Sequence, residues 1–221
     1  CIVKINNNDP DEYNPETKTY IKYVERDVTD VTISIITNSE EASIQTLGQT
    51  QKHELSIEKF DLPNEKNILD VIITAENGIT ETYHIEVVKK STDNTILSVK
   101  VDGNEVKEAN GKYVATVIDT GKTVTPVDIE VTTNDKKAQV QIGDGSAWIE
   151  NIATSQVSFA DGNRKITLNI NVKAQAPNTD VLTKELEINL ISDDNTIESI
   201  KDADTELTIY DNETHTFTEY V

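Results

Sequence analysis

An internal repeat is the feature that most constrains how this 221-residue chain folds. The sequence STDNTI at residues 91–96 recurs, with one change, as SDDNTI at residues 192–197. In addition, the strand-like segment VTISI at residues 31–35 recurs as VDIEV at residues 127–131, which is 96 residues later. Self-similarity at nearly constant spacings, here 101 and 96 residues, indicates one structural unit that is used more than once.

The repeat predicts one module at residues 1–91, a second at 92–192 and the start of a third, incomplete module at 193–221. Within each full module, apolar residues alternate with polar ones in short runs, and 26 Ile and 20 Val favour strands over helices. The predicted strands lie near 2–5, 18–24, 30–37, 42–46, 53–58, 68–75 and 81–88, and near 96–101, 112–118, 124–132, 137–142, 155–160, 165–173 and 182–191. An all-β fold of tandem immunoglobulin-like Greek-key β-sandwiches, with about seven strands each, accounts for this pattern.

Three segments of the first module follow one another in a recognisable order. They are YNPETKTY at residues 13–20, VTDVTI at 28–33 and ITAENGITETYHIEV at 73–87. In this order they resemble the bacterial cadherin-like β-sandwich family over nearly all of residues 2–90. The second module is more divergent, and its assignment depends on the repeat. The resemblance implies tandem extracellular modules of a bacterial surface or secreted protein, with no enzymatic activity and no catalytic residue.

The net charge and the length of the apolar runs each exclude one class of partner. It carries 20 Lys and Arg against 40 Asp and Glu, a net charge of −20. Nucleic-acid binding depends on a basic surface that neutralises phosphates, so no nucleic acid is expected. No apolar run approaches the roughly 20 residues that cross a bilayer, so no membrane insertion is expected. A single cysteine, Cys1, allows no internal disulfide.

Calcium is the one cofactor that the sequence brings into question, because hard cations take clusters of oxygen ligands. The acidic sets are Asp9/Asp11/Glu12, Asp93-Asn94, Asp193-Asp194-Asn195 and Asp202/Asp204. The second and third sets lie at predicted module boundaries, where true cadherins bind calcium, and they are the candidate metal ligands. The other ligand groups of true cadherins are not recognisable in this sequence. The alternative is that these residues form turns and carry solvated charge.

Trp148, the single tryptophan, is the candidate ligand-binding residue, since an exposed aromatic ring can stack on a sugar of a host or cell-wall glycan. The corresponding stretch of the first module carries Leu47. That correspondence favours the alternative that Trp148 covers the core beneath a loop. The three histidines are scattered and form no pattern with Ser, Cys or Asp that indicates nucleophilic catalysis, so no catalytic residue is predicted.

Two classes of function follow from these features. The leading hypothesis is a non-catalytic structural or adhesive spacer at the bacterial cell surface or in a secreted protein. Its partners are neighbouring modules of the same chain and, in a fibre or surface array, like subunits. The alternative is a glycan- or protein-binding module, or an accessory domain of an extracellular enzyme whose catalytic domain lies elsewhere. Every version places the chain outside the cell.

Overall fold

A computed structural model describes residues 1–119, 125–160 and 162–192, and the backbone of four short strands between residues 201 and 218. These parts consist of strands and turns and contain no helix. The strands of the first sandwich are β1 (Ile2–Ile5), β2 (Glu12–Asn14), β3 (Thr19–Val24), β4 (Asp30–Ile36), β5 (Ser43–Thr46), β6 (Gln49–Lys52), β7 (Glu54–Asp61), β8 (Lys66–Thr74) and β9 (Thr80–Lys89). They form a three-stranded sheet, β1-β4-β7, and a six-stranded sheet, β2-β3-β9-β8-β5-β6.

The second sandwich repeats this strand order. Its strands are β10 (Ile96–Val101), β11 (Asn104–Glu105), β12 (Glu108–Ala109), β13 (Lys112–Ile118), β14 (Thr125–Thr133), β15 (Gln139–Ile142), β16 (Ile149–Glu150), β17 (Ile152–Phe159), β18 (Lys165–Lys173) and β19 (Leu182–Ile191). The sheets are β11-β10-β14-β17 and β12-β13-β19-β18-β15-β16. Apart from the added edge strand β11, each strand has a counterpart in the first sandwich. The prediction of an all-β fold with tandem sandwiches is therefore confirmed.

Four more strands follow, β20 (Lys201–Asp202), β21 (Thr205–Glu206), β22 (Ile209–Asp211) and β23 (Thr216–Thr218). Strand β20 pairs with β21, and β22 pairs with β23, both antiparallel. The chain divides into two compact units, of which the first comprises Cys1–Leu97, Val131–Ala153 and Asn171–Thr183. The second comprises Ser98–Glu130, Thr154–Ile170 and Lys184–Val221. The module limits at 1–91, 92–192 and 193–221 remain predictions.

Strand β4 shows why the repeated segments form strands. Its residues Val31, Ile33 and Ile35 point inward and are at most 1% exposed, whereas the residues between them are partly exposed. The counterparts in β14, 96 residues later, are equally buried: Val127, Ile129 and Val131. Removing each such side chain from water contributes about 1.5–3 kcal/mol. The core of the first sandwich takes residues from both of its sheets, among them Val3, Ile5, Leu55, Leu69, Val71, Ile85 and Val87.

Within the two sandwiches, all fourteen predicted strands are present, and the prediction missed five short ones: β2, β6, β11, β12 and β16. Strand β6 shows the reason, because all four of its residues are exposed and none is apolar. It forms by pairing with β5 across a tight turn, in which Leu47 and Gly48 adopt φ values of 48° and 74°. Such a strand depends on its turn and its neighbour, and it leaves no alternation of apolar residues in the sequence.

Each sandwich contains a parallel strand pair among the pairings that the structure describes. In the first, β3 runs parallel to β9 from the pair Thr19 and His84 to the pair Val24 and Lys89. In the second, β13 runs parallel to β19 from Lys112 opposite Glu185 onward. Each pair joins a strand near the start of a sandwich to its last strand.

On the outer face of the second sandwich, Glu187 in β19 connects the strands on either side of it. Its carboxylate accepts hydrogen bonds from Lys112 Nζ in β13 at 2.7 Å and from Asn189 Nδ2 at 3.0 Å. Lys165 Nζ in β18 lies 2.8 Å from the same carboxylate. These contacts, the one from Lys112 above all, lower the pKa of Glu187 from 4.5 to about 2.

The Glu187 contacts predict a specific loss of stability in acid. Because the pKa is lowered by folding, the contribution is complete above pH 4.5 and is lost as the pH falls from there towards about 2. We expect the difference in unfolding free energy between wild type and Glu187→Gln to shrink over this range, measured by urea denaturation at several pH values. The control is Glu185→Gln, whose carboxylate is 3.7 Å from Lys112 Nζ. A difference that does not change with pH would contradict the assignment.

Candidate functional site

The connecting segment (residues 91–95) runs from the end of β9 to the start of β10 and is hydrogen-bonded along its length. The carbonyl oxygen of Ser91 accepts from Ala176 N at 2.9 Å. The carbonyl oxygen of Thr95 accepts from Asn134 N at 3.0 Å. All of these residues belong to the first compact unit. The segment is therefore tied to its surroundings by backbone hydrogen bonds at both of its ends.

Asp93 is the central hydrogen-bond acceptor of the connecting segment. Its Oδ1 accepts from the backbone N of Thr95 at 2.8 Å and from the Thr95 hydroxyl at 2.6 Å. Its Oδ2 accepts from Asn134 Nδ2 at 2.6 Å. The hydrogen bonds from Thr95, followed by the one from Asn134, lower the pKa of Asp93. The neighbouring Asn94 donates through Nδ2 to the carbonyl oxygen of Asp180 at 2.7 Å.

These contacts bear on the predicted calcium ligands. Asp93 and Asn94 lie together in the segment, but both carboxylate oxygens of Asp93 accept from protein donors. Over the residues that the structure describes, no group of three or more His, Cys, Asp or Glu side chains is arranged to hold a metal ion. The other three candidates, Asp193, Asp194 and Asn195, lie outside the described residues. Calcium binding at these five residues remains a prediction.

Lys137 makes the densest group of charged contacts in the first compact unit. Its Nζ is 2.5 Å from Glu12 Oε1 in β2 and 3.3 Å from Glu150 Oε1 in β16. It also lies 5.5 Å from the centre of the Tyr23 ring in β3, within the range of a cation–π contact. The contact with Glu12 is the main reason that the pKa of Lys137 is raised. Burial, followed by the negative charge of Glu12, raises the pKa of Tyr23.

The turn between β14 and β15 fixes the position of Lys137. Asp135 Oδ1 accepts from the backbone N of Lys137 at 2.9 Å, as Asp does when it forms an Asx turn. The Thr133 hydroxyl donates to the carbonyl oxygen of Asp135 at 2.8 Å. The sequence analysis missed Lys137 and its partners. Aligning the two repeats could have identified Lys137, because the 96-residue spacing places this cation where the first sandwich has the anion Glu41.

Trp148 lies in the loop between β15 and β16 and is partly buried. The ammonium group of Lys173 lies 4.5 Å from the centre of its ring. Leu47, the counterpart that suggested a core position, is 60% exposed and therefore covers no core in the first sandwich. The role of Trp148 as a ligand-binding residue remains a prediction.

Histidine forms no obvious catalytic group in the described part of the chain. His84 in β9 is partly exposed, and its Nδ1 is 2.7 Å from Asp70 Oδ1 in β8, so the pair belongs to an outer sheet face. His215 lies outside the described residues. Across the described residues, no helix has the length and apolar character needed to cross a membrane.

Comparisons with known proteins identify part of the chain. Residues 3–90 match the family model of the Cadherin-like beta sandwich domain, which confirms the resemblance of the first sandwich. No curated protein matches the sequence. Three solved structures are similar at low identity. Mouse clustered PcdhgC3 EC1-3 is 11% identical, and the match covers 84% of this chain and 69% of that chain with a TM-score of 0.30. The Protocadherin GammaB4 extracellular domain and the Protocadherin gammaB7 EC3-6 cis-dimer are each 10% identical over 81% of this chain; the matches cover 32% and 47% of those chains, with TM-scores of 0.32 and 0.27. This chain thus spans less than half of the second and third.

The hydrogen bonds of Asp93 predict a local loss of stability on substitution. Asp93→Ala leaves the Thr95 and Asn134 donors without their acceptor, so we expect unfolding to become easier by about 1–2 kcal/mol in urea denaturation. Because folding lowers its pKa from 3.8, this contribution is present above pH 3.8 and is lost below it. Asp180→Ala is the control, since it keeps the carbonyl that Asn94 uses. Equal effects of the two substitutions would contradict the role of the Asp93 carboxylate.

Proposed function

We propose that this chain, whose residues 3–90 are a cadherin-like β-sandwich domain, is a non-catalytic structural spacer of a bacterial cell-surface or secreted protein. Its partners are the neighbouring sandwiches of its own chain and, in a fibre or surface array, like subunits. The net charge of −20 supports the spacer role, because it keeps a repetitive surface soluble. The connecting segment, hydrogen-bonded at both ends, limits bending where one sandwich follows another.

The repeated parallel strand pair is the observation that carries the proposal. Chain tension enters the first sandwich through β1, reaches β3 once β1 has separated from β4, and leaves after β9; β3 and β9 run parallel over six residue pairs. Pulling the two strands in opposite directions loads their hydrogen bonds sideways and together, because those bonds are evenly spaced along a parallel ladder. Strands β13 and β19 give the second sandwich the same resistance to tension. A spacer needs this property in each of its repeats.

Proline substitution in β3 tests this mechanical role. Lys90 N donates to the carbonyl oxygen of Val24 at 2.8 Å, so alternate residues of β3, Lys22 among them, direct their backbone groups towards β9. Lys22→Pro removes one N–H from that ladder. We expect a clearly lower unfolding force for the first sandwich when the full chain is stretched between handle domains in an optical trap.

Ile21→Pro is the matched control for the force experiment. The carbonyl oxygen of Ile21 accepts from Asp11 N at 2.8 Å, so this residue directs its backbone towards β2 and away from β9. Lys22→Ala controls for the side-chain contact of Lys22 with Asp11. Thermal melts establish that all three variants fold. An equal fall in unfolding force for Lys22→Pro and Ile21→Pro would refute the parallel pair as the mechanical element.

Glycan binding is the second candidate function, and the position of Trp148 supports it. The ring is only partly buried, and the loop around it is polar, with Gln141 donating to the carbonyl oxygen of Ser146 at 2.6 Å. Lys173 covers the ring, so a sugar would have to displace its ammonium group or use the opposite face.

A glycan array separates this candidate from the spacer. A binding module should bind specific glycans on the array. The Trp148→Ala variant should lose this binding, whereas Leu47→Ala, at the exposed counterpart in the first sandwich, should keep it. Lys173→Ala should strengthen binding, because it uncovers the ring. A spacer should show no specific binding in any of these forms, and binding that survives Trp148→Ala would exclude this residue as the sugar platform.

A further inference from the structure

Two equivalent turns of the repeat share one set of hydrogen bonds. In the first sandwich, the Thr37 hydroxyl donates to the carbonyl oxygens of Ser39 at 2.8 Å and of His53 at 3.1 Å. In the second, the Thr133 hydroxyl donates to the corresponding carbonyl oxygens, of Asp135 at 2.8 Å and of Asn151 at 3.1 Å. The backbone of the turn has thus been kept while its charged side chains have changed.

The charges at one ion pair of this turn are reversed between the two sandwiches. In the first, Glu41 is 2.5 Å from Lys52. In the second, the positions 96 and 98 residues later hold Lys137 and Glu150, whose charged atoms are 3.3 Å apart. Strand registers support the second equivalence, because Lys52 pairs opposite Ser43 and Glu150 pairs opposite Gln139. The reversal places a cation where the first sandwich has a carboxylate.

The reversed charge gives Lys137 a partner that the same turn of the first sandwich lacks. Its ammonium group contacts Glu12 at 2.5 Å and Glu150 at 3.3 Å, beside the ring of Tyr23. We propose that Lys137 is a built-in cation that holds β2 and β3 against the turn between β14 and β15, and that this contact needs no metal ion. This proposal about Lys137 goes beyond the spacer proposal and does not depend on it.

Chemistry supports a tethered ammonium group in this position. Lys137 offsets one of the two negative charges of Glu12 and Glu150, and these contacts raise the pKa of Lys137, which favours its charged form. Asp93, one of the predicted calcium ligands, already accepts hydrogen bonds at both carboxylate oxygens. A covalently attached cation also remains at its site when free ions are removed, unlike bound calcium. The contact should therefore be insensitive to chelators.

Amide hydrogen exchange on the full chain measures this contact directly. The reporters are the N–H of Asn134, bonded to Thr95, and the N–H of Ala176, bonded to Ser91. We expect Lys137→Met to accelerate exchange at these two amides about fivefold, a change of about 1 kcal/mol. Amides in the centre of β4 should keep wild-type exchange, which shows that the sandwich itself is intact. The wild-type values should be the same in 1 mM CaCl₂ and in excess EDTA.

Two controls make the experiment decisive. Lys136→Met removes the adjacent, exposed lysine and should leave both reporter amides unchanged. Glu12→Gln should accelerate exchange, and combining it with Lys137→Met should add little, because both substitutions break the same contact. Faster wild-type exchange in EDTA would show that calcium holds the segment and would overturn the proposal. Equal effects of the two lysine substitutions, or full additivity with Glu12→Gln, would overturn it as well.

Discussion

The burial of alternate branched side chains on strands such as β4 and β14 is the constraint on which the rest of the structure depends. The described chain has a single cysteine, so each sandwich is held by its apolar interior and its hydrogen bonds. The two residues beside Ile33 show how strongly this fixes the register, since a slip of one residue would turn Thr32 and Ser34 inward. A register fixed in this way also fixes which backbone edges and which side chains each strand presents outward.

A fixed interior leaves the outer charges free to differ between the two repeats. The same turn carries Glu41 in one sandwich and Lys137 in the other, and in both a threonine hydroxyl donates the same hydrogen bond to a backbone carbonyl oxygen of the turn. Similarly, on one outer face Glu187 forms ion pairs with two lysines from the neighbouring strands. Exposed ion pairs contribute only about 0.2–1 kcal/mol each, so exchanging them costs the fold little. Exposed ion pairs can therefore change from one repeat to the next, and with them the surfaces that attract one another.

The contrast between the buried interior and the exposed charges also explains which features could be predicted from the sequence. The alternation of Val31, Ile33 and Ile35 is visible in the sequence because burial imposes it, and every strand with such a pattern was predicted. Strand β6 has no buried residue and was missed. Lys137 was missed because an ion pair has no periodicity; only aligning the two repeats shows its charge reversed against Glu41. Asp93 was predicted as a calcium ligand with a turn as the alternative, but its three donors, two from Thr95 and one from Asn134, depend on the folded positions of those residues.

In a spacer, the connecting segment and the parallel strand pairs carry the same tension, because they follow one another along the chain. The strands β3 and β9 resist as a ladder of six residue pairs loaded together. The contacts around the connecting segment are two backbone hydrogen bonds with Asn134 and Ala176, and a few partly exposed side-chain contacts. Such contacts can open one at a time. In a spacer, the segment should therefore yield before either sandwich, and its contacts should re-form when the tension falls.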